Sequence, residues 1–173
     1  MDHGDEIRNL LGRYCDAIDA GDFEAVGALF ARGALATEDG TAFAVGAEAV
    51  AAFYRSGTQL HDGSPRTKHH VTNTVVEPVA DDGSVTARSS YLVFQAVEGF
   101  ALQPIITGRY IDRFAPDGEG GGWHFVERRF LVDPVGDLLG MDDDDDLPVQ
   151  PPAPVPRRGP RVPEGAELGG PRR

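Results

Sequence analysis

Four β-periodic segments crowd into the stretch from Thr67 to Val132, and two tight turns join them in pairs. The first runs from Thr67 to Val79 and turns at Asp81-Asp82-Gly83 into a second, Ser84 to Val97. The third runs from Pro104 to Phe114 and turns through the glycine-rich Asp117 to Gly122 into the fourth, Trp123 to Val132. Short turns join antiparallel neighbours, so these segments predict a large antiparallel sheet. Long strands also need a second layer to cover their apolar face.

The residues before the strands supply that layer. Ile7, Leu10, Leu11, Tyr14 and Ile18 recur at helical spacing and give one apolar stripe. Gly21 can end this helix and Asp22 can cap the next, whose inward residues are Phe23, Val26, Leu29 and Phe30. Residues 34 to 45 read as two short strands around Asp39-Gly40. Gly46 leads into a third helix, with Val50, Phe53 and Tyr54 on its apolar side. Helices first and long strands afterwards predict an α+β fold rather than an alternating parallel one.

The composition changes after Asp133. Asp142 to Asp146 is an unbroken acidic run, and Pro148 to Pro171 is rich in proline, glycine and arginine without an apolar period. Such a segment buries too little apolar surface to offset its ordering entropy. The expected organisation is one domain over 1–135 and a disordered acidic and Pro/Gly/Arg-rich tail over 136–173.

Charge and cysteine content narrow the partners. The formal net charge is -12, which disfavours nucleic acid. Cys15 is the single cysteine, so neither an internal disulfide nor a multi-thiolate zinc site can form. No apolar run approaches the roughly 20 residues that span a bilayer, and Met1 to Glu6 is acidic where a secretory signal is basic. The expectation is a cytoplasmic chain with no membrane partner.

Three stretches carry a family resemblance: Tyr14-Cys15-Asp16-Ala17-Ile18-Asp19-Ala20-Gly21-Asp22-Phe23, Thr67-Lys68-His69-His70-Val71-Thr72-Asn73, and Gly108-Arg109-Tyr110-Ile111-Asp112-Arg113-Phe114 followed by Trp123. Over residues 5 to 133 the chain resembles the SnoaL-like branch of the nuclear transport factor 2-like superfamily. The resemblance implies a cone-shaped curved antiparallel sheet, an α+β barrel, closed by three N-terminal helices. It also implies a pocket for one small apolar molecule, and a homodimer. The superfamily includes dehydratases, isomerases, polyketide cyclases and non-catalytic modules, so the fold alone does not fix a reaction.

The chemistry centres on Asp19 and His69. On the helical wheel Asp19 lies roughly 120° from the centre of the apolar stripe, at its border, while Asp16 faces water. Strand alternation puts Thr67, His69, Val71, Asn73 and Val75 on one face and His70 on the other. The resemblance to scytalone dehydratases implies a catalytic role for both residues. Asp19 falls where that family has its aspartate, and His69 where it has one of two histidines. The second histidine has no counterpart, since Tyr91, Val93 and Phe94 occupy its region.

An aspartate can orient an imidazole and fix its tautomer, and the imidazole can then move a proton next to a carbonyl. Tyr14, Tyr54, Tyr91 or Asn73 could donate to the developing enolate, and with Val71 they form the expected substrate-binding set. Such chemistry requires no metal or cofactor. His69 and His70 point oppositely and make a poor chelate.

Two functions stay open at this stage. One is a cofactor-independent lyase, isomerase or cyclase acting on a polyketide- or terpenoid-like molecule. The other is a non-catalytic ligand-binding or assembly module, in which Asp19 and His69 are a packing pair. His70, His61 and His124 read as surface residues, and Cys15 as a small hydrophobe. Arg109, Arg113, Arg128 and Arg129 alternate with apolar residues and read as an outer surface, the candidate dimer face.

Overall fold

The computed structural model describes residues 2–118 and 121–135, with side chains through Asp133. The expected tail, 136–173, lies outside the described residues. In chain order the elements are α1 (His3–Ala20), α2 (Phe23–Leu29), β1 (Ala34–Ala36), β2 (Ala42–Val45), α3 (Gly46–Gly57), β3 (Thr67–Val76), β4 (Val85–Val97), β5 (Phe100–Pro116) and β6 (Trp123–Val135).

The α1 stripe buries Ile7, Leu10, Leu11, Tyr14 and Ile18, as its 3.6-residue period requires. The helix stops at Gly21, which adopts φ 73 and turns its N–H back onto the carbonyls of Ala17 and Ile18. A left-handed cap of this kind suits glycine because it has no Cβ to clash. Asp22 then caps α2 by accepting the Ala25 N–H at 2.9 Å. In α3 the buried residues are Val50, Ala51 and Tyr54. Phe53, expected on the apolar side, is 42 % exposed and packs against Phe43 at the rim.

The six strands form one sheet in the order β2-β1-β6-β5-β4-β3. The four long strands are antiparallel neighbours as expected. The sheet as a whole is mixed, because β1 lies parallel to β6 with Leu35 opposite Arg128. That pairing follows from connectivity: β1 leaves a helix rather than a hairpin from β6, so no tight turn dictates its direction. The edges, β2 and β3, are not paired with each other, so the sheet curls without closing.

Along β4, Val85, Ala87, Ser89, Tyr91, Val93 and Gln95 are buried at every second position. This row and its neighbours on β5 and β6 meet the apolar sides of the three helices in a single core.

Two irregularities alter the facing read from alternation. In β3 the register shifts between Thr72 and Val75, and Asn73 sits at φ 53. Asn73 and Val75 are consequently exposed, and Thr74 and Val76 take the inner positions. The expectation that Asn73 shares the face of His69 fails for this reason, since a bulge inserts one residue and reverses the pleat beyond it. A second shift between Arg113 and Phe114 sets Phe125 opposite Phe114 and Arg128 opposite Asp112. It turns Arg128 inward, where it is wholly buried, contrary to its reading as a surface residue. Arg109 and Arg113 remain exposed.

Candidate functional site

Asp19 occupies the last turn of α1, where no basic side chain is present. A carboxylate there faces the negative end of the helix dipole and needs outside donors. Edge strand β3 provides them. Asp19 accepts the His69 backbone N–H at 2.9 Å, the Thr67 hydroxyl at 2.9 Å, and is joined to His69 Nδ1 at 2.6 Å. Lys68 Nζ stands 3.7 Å away. Burial pushes the Asp19 carboxyl up, but the hydrogen bonds from the His69 ring, the His69 backbone and Thr67 outweigh it and hold the group below its ordinary 3.8.

The loop before β3 brings these donors into place. Pro65 packs over the bare Cα of Gly21, where an added Cβ would lie 3.2 Å from the proline Cδ. The chain therefore reaches Thr67 against the end of α1. Gln95, on the neighbouring strand, fixes the same loop by donating to the Pro65 carbonyl at 3.0 Å.

His69 keeps 12 % of its side chain exposed, against 8 % for Asp19. It contributes to a groove of about 350 Å³ between α1 and β3, together with Leu11, Cys15, Asp16 and Val71. Since Asp19 engages Nδ1, Nε2 is the ring nitrogen left for proton transfer. The Tyr14 ring stands edge-on to the imidazole, with centroids 6.3 Å apart. Cys15 shares the groove, but burial pushes its thiol up to about 11, which keeps it protonated and unreactive.

Behind Tyr14 the cone is filled. The Tyr14 and Tyr54 hydroxyls bond at 2.9 Å, and Tyr91 stacks on Tyr110 at 4.3 Å. Arg128 lies under these rings with its Cζ 4.2 Å from the Tyr14 centroid and 3.9 Å from that of Tyr110. Asp112 grips it in a bidentate pair, with both nitrogen–oxygen distances 2.8 Å. Burial disfavours the guanidinium charge, but the Asp112 carboxylate more than offsets this and keeps Arg128 well above its ordinary value. Burial also raises the phenols: Tyr91 to about 12, and Tyr54 and Tyr110 well above their ordinary value. All three are therefore protonated donors at neutral pH.

Of the sequence-based site residues, the structure brings together Asp19, His69 and Tyr14, and through Tyr14 also Tyr54. Tyr91 joins the same core through Tyr110, and Val71 lines the groove. Asn73 stands apart, exposed in the bulge. His70 points outward and meets Phe94 edge-on at 5.6 Å, while His124 bonds to Asp117 at 2.7 Å. Alternation missed Arg128 and Asp112. Their one visible signal was a pair of opposite charges set among apolar residues on adjacent strands. Among the described residues, no group of three or more His, Cys, Asp and Glu side chains is placed to hold a metal ion.

The model of the SnoaL-like domain family matches residues 2–129. The chain belongs to that family. Solved structures agree on the fold. An NTF2-like protein with a cystatin-like fold from Novosphingobium aromaticivorans is 28 % identical, with a TM-score of 0.62 over 76 % of this chain and 82 % of that one. ActVI-ORFA from Streptomyces coelicolor is 20 % identical, with a TM-score of 0.63 over 74 % and 95 %. A proposed scytalone dehydratase from Novosphingobium aromaticivorans is 19 % identical, with a TM-score of 0.58 over 76 % and 84 %. No curated protein matches in sequence. Among the described residues of this SnoaL-like domain, no helix is long and apolar enough to cross a membrane.

Proposed function

We propose that this SnoaL-like domain is a cofactor-independent lyase, isomerase or cyclase that moves a proton through His69 on a small, apolar, oxygenated molecule of polyketide or terpenoid type. The observation that carries the reading is the 2.6 Å contact between Asp19 and His69 Nδ1 beside an open groove. Asp19 holds the proton on Nδ1 and leaves the Nε2 lone pair as the base. Removal of a proton next to a carbonyl is the step shared by all three reaction classes. Asp19 would stabilise the imidazolium that forms, and a phenol hydroxyl such as that of Tyr14 or Tyr91 would donate to the enolate oxygen. The same nitrogen then returns the proton, to carbon for isomerisation or to a departing hydroxyl for dehydration. The likeness to a proposed scytalone dehydratase supports this class of substrate.

One observation favours a second reading. Asp19 also binds the His69 backbone and the Thr67 hydroxyl, which is what a purely structural tie between α1 and an edge strand would do. On that reading the domain binds its ligand without turnover. A panel of polyketide- and terpenoid-like ketones, assayed by product mass with the natural chain and with His69→Asn, separates the two. Turnover that vanishes in the variant supports catalysis, whereas binding without any product supports the module. The proposal includes a homodimer built on the outer face of β5 and β6. Sedimentation equilibrium at micromolar concentration tests it, and a monomer would contradict it.

A further inference from the structure

Arg128 is wholly buried, yet its Nη1 has no hydrogen-bond partner among the described residues. Asp112 engages the other edge of the guanidinium, at Nε and Nη2. A buried donor left unmet carries its full desolvation penalty. Apolar residues of similar volume often serve stability as well as a buried ion pair does, or better. Asp112 and the aromatic rings stabilise the guanidinium charge, but they leave the Nη1 N–H without an acceptor. Four rings surround the guanidinium, with Cζ 3.9 Å from the Tyr110 centroid, 4.2 Å from that of Tyr14, 5.0 Å from that of Phe125 and 5.9 Å from that of Phe30, and the Tyr14 hydroxyl is bonded to that of Tyr54. The centre of the cone thus gathers donors, and its carboxylate is already engaged. A site of that composition suits an oxygen that carries or develops negative charge.

We propose that Arg128 is the oxygen-anchoring residue of the cone, its Nη1 taking the phenolate or enolate oxygen of a planar aromatic ligand whose carbon body extends toward His69. The proposal rests on reading the groove beside His69 as a small-molecule site, and deepens it by extending that site inward past Tyr14. Tyr14 stands between the two residues, with its face on Arg128 and edge-on to His69. An oxygen that reaches Nη1 from the groove displaces this ring and breaks the Tyr14–Tyr54 hydrogen bond. Asp112 then acts as a positioning residue, fixing the guanidinium so that Nη1 remains the free donor.

The test uses two probes of matched shape, 2-naphthol and 2-methylnaphthalene, titrated calorimetrically into the full chain. The natural chain should bind 2-naphthol at least about tenfold more tightly. The double variant Arg128→Met/Asp112→Leu should bind both probes alike. If the double variant fails to fold, the guanidinium nitrogen–proton resonances of Arg128 in the natural chain give the readout. They should shift with 2-naphthol and stay unmoved with 2-methylnaphthalene. Equal affinities in the natural chain, a preference that survives in the double variant, or resonances indifferent to 2-naphthol would overturn the anchor and leave the small-molecule reading standing. Failure of both probes to bind would overturn the two together.

Discussion

Asp19 and His69 are 50 positions apart in sequence, yet one carboxylate accepts from both the backbone and the ring of the histidine. This relationship joins the end of α1 to the start of an edge strand, so it has consequences for stability as well as for chemistry.

Replacing Asp19 with Asn should destabilise the domain by about 1.5–3 kcal/mol, the range for hydrogen bonds to a charged group. The effect should depend on pH in a defined direction. The folded Asp19 carboxyl titrates below its ordinary 3.8. Its contribution is therefore complete above that value and is lost as pH falls through the lower, folded value. Urea unfolding of the natural chain and the variant should show a gap at pH 7 that narrows as the pH drops below 3.8. A gap that does not change with pH would show that the charge of Asp19 is immaterial.

Gly108 should tolerate no side chain. A Cβ there would lie 2.3 Å from the Leu131 carbonyl oxygen and 2.6 Å from the Tyr91 hydroxyl. The first contact is with backbone, which cannot swing aside. Gly108→Ala should cost about 1–3 kcal/mol, as overpacking does. Pairing it with Tyr91→Leu should not restore stability, because the carbonyl clash remains. Full recovery in the pair, measured by thermal unfolding, would assign the clash to Tyr91 instead.

The buried ion pair predicts an asymmetry. Arg128→Met alone strands the Asp112 carboxylate in the core and should cost about 3–5 kcal/mol. Arg128→Met/Asp112→Leu removes both charges and should be close to neutral or stabilising. Denaturant unfolding of both variants checks this. A double variant as unstable as the single one would mean that the pair itself supports the fold.

Much of this was legible in the sequence because periodicity carried it. The α1 stripe, the Gly21 stop, the hairpin at Asp39-Gly40 and the order of the four long strands follow from residue type and spacing. The border position of Asp19 and the facing of His69 needed only the helical wheel and the first residues of β3. Alternation failed where a bulge intervened. It placed Asn73 inside and Arg128 outside, because one inserted residue reverses every later facing and leaves no mark in composition. The parallel pairing of β1 with β6 was equally hidden, since it depends on contacts between residues more than 90 positions apart. The filled interior was hidden for a related reason: it depends on how rings from several elements meet around Arg128.

The central claim is that His69 moves a proton. It is tested most directly by hydrogen–deuterium exchange at carbon next to the carbonyl, followed by proton NMR in deuterium oxide for a panel of small aromatic and terpenoid ketones. The natural chain should accelerate exchange of at least one ketone over buffer. His69→Asn, with an unchanged circular dichroism spectrum, should lose that acceleration by about 100-fold or more, the usual worth of a general base. Exchange that persists at the natural rate in His69→Asn, or a ketone that binds the natural chain without any accelerated exchange, would contradict the account.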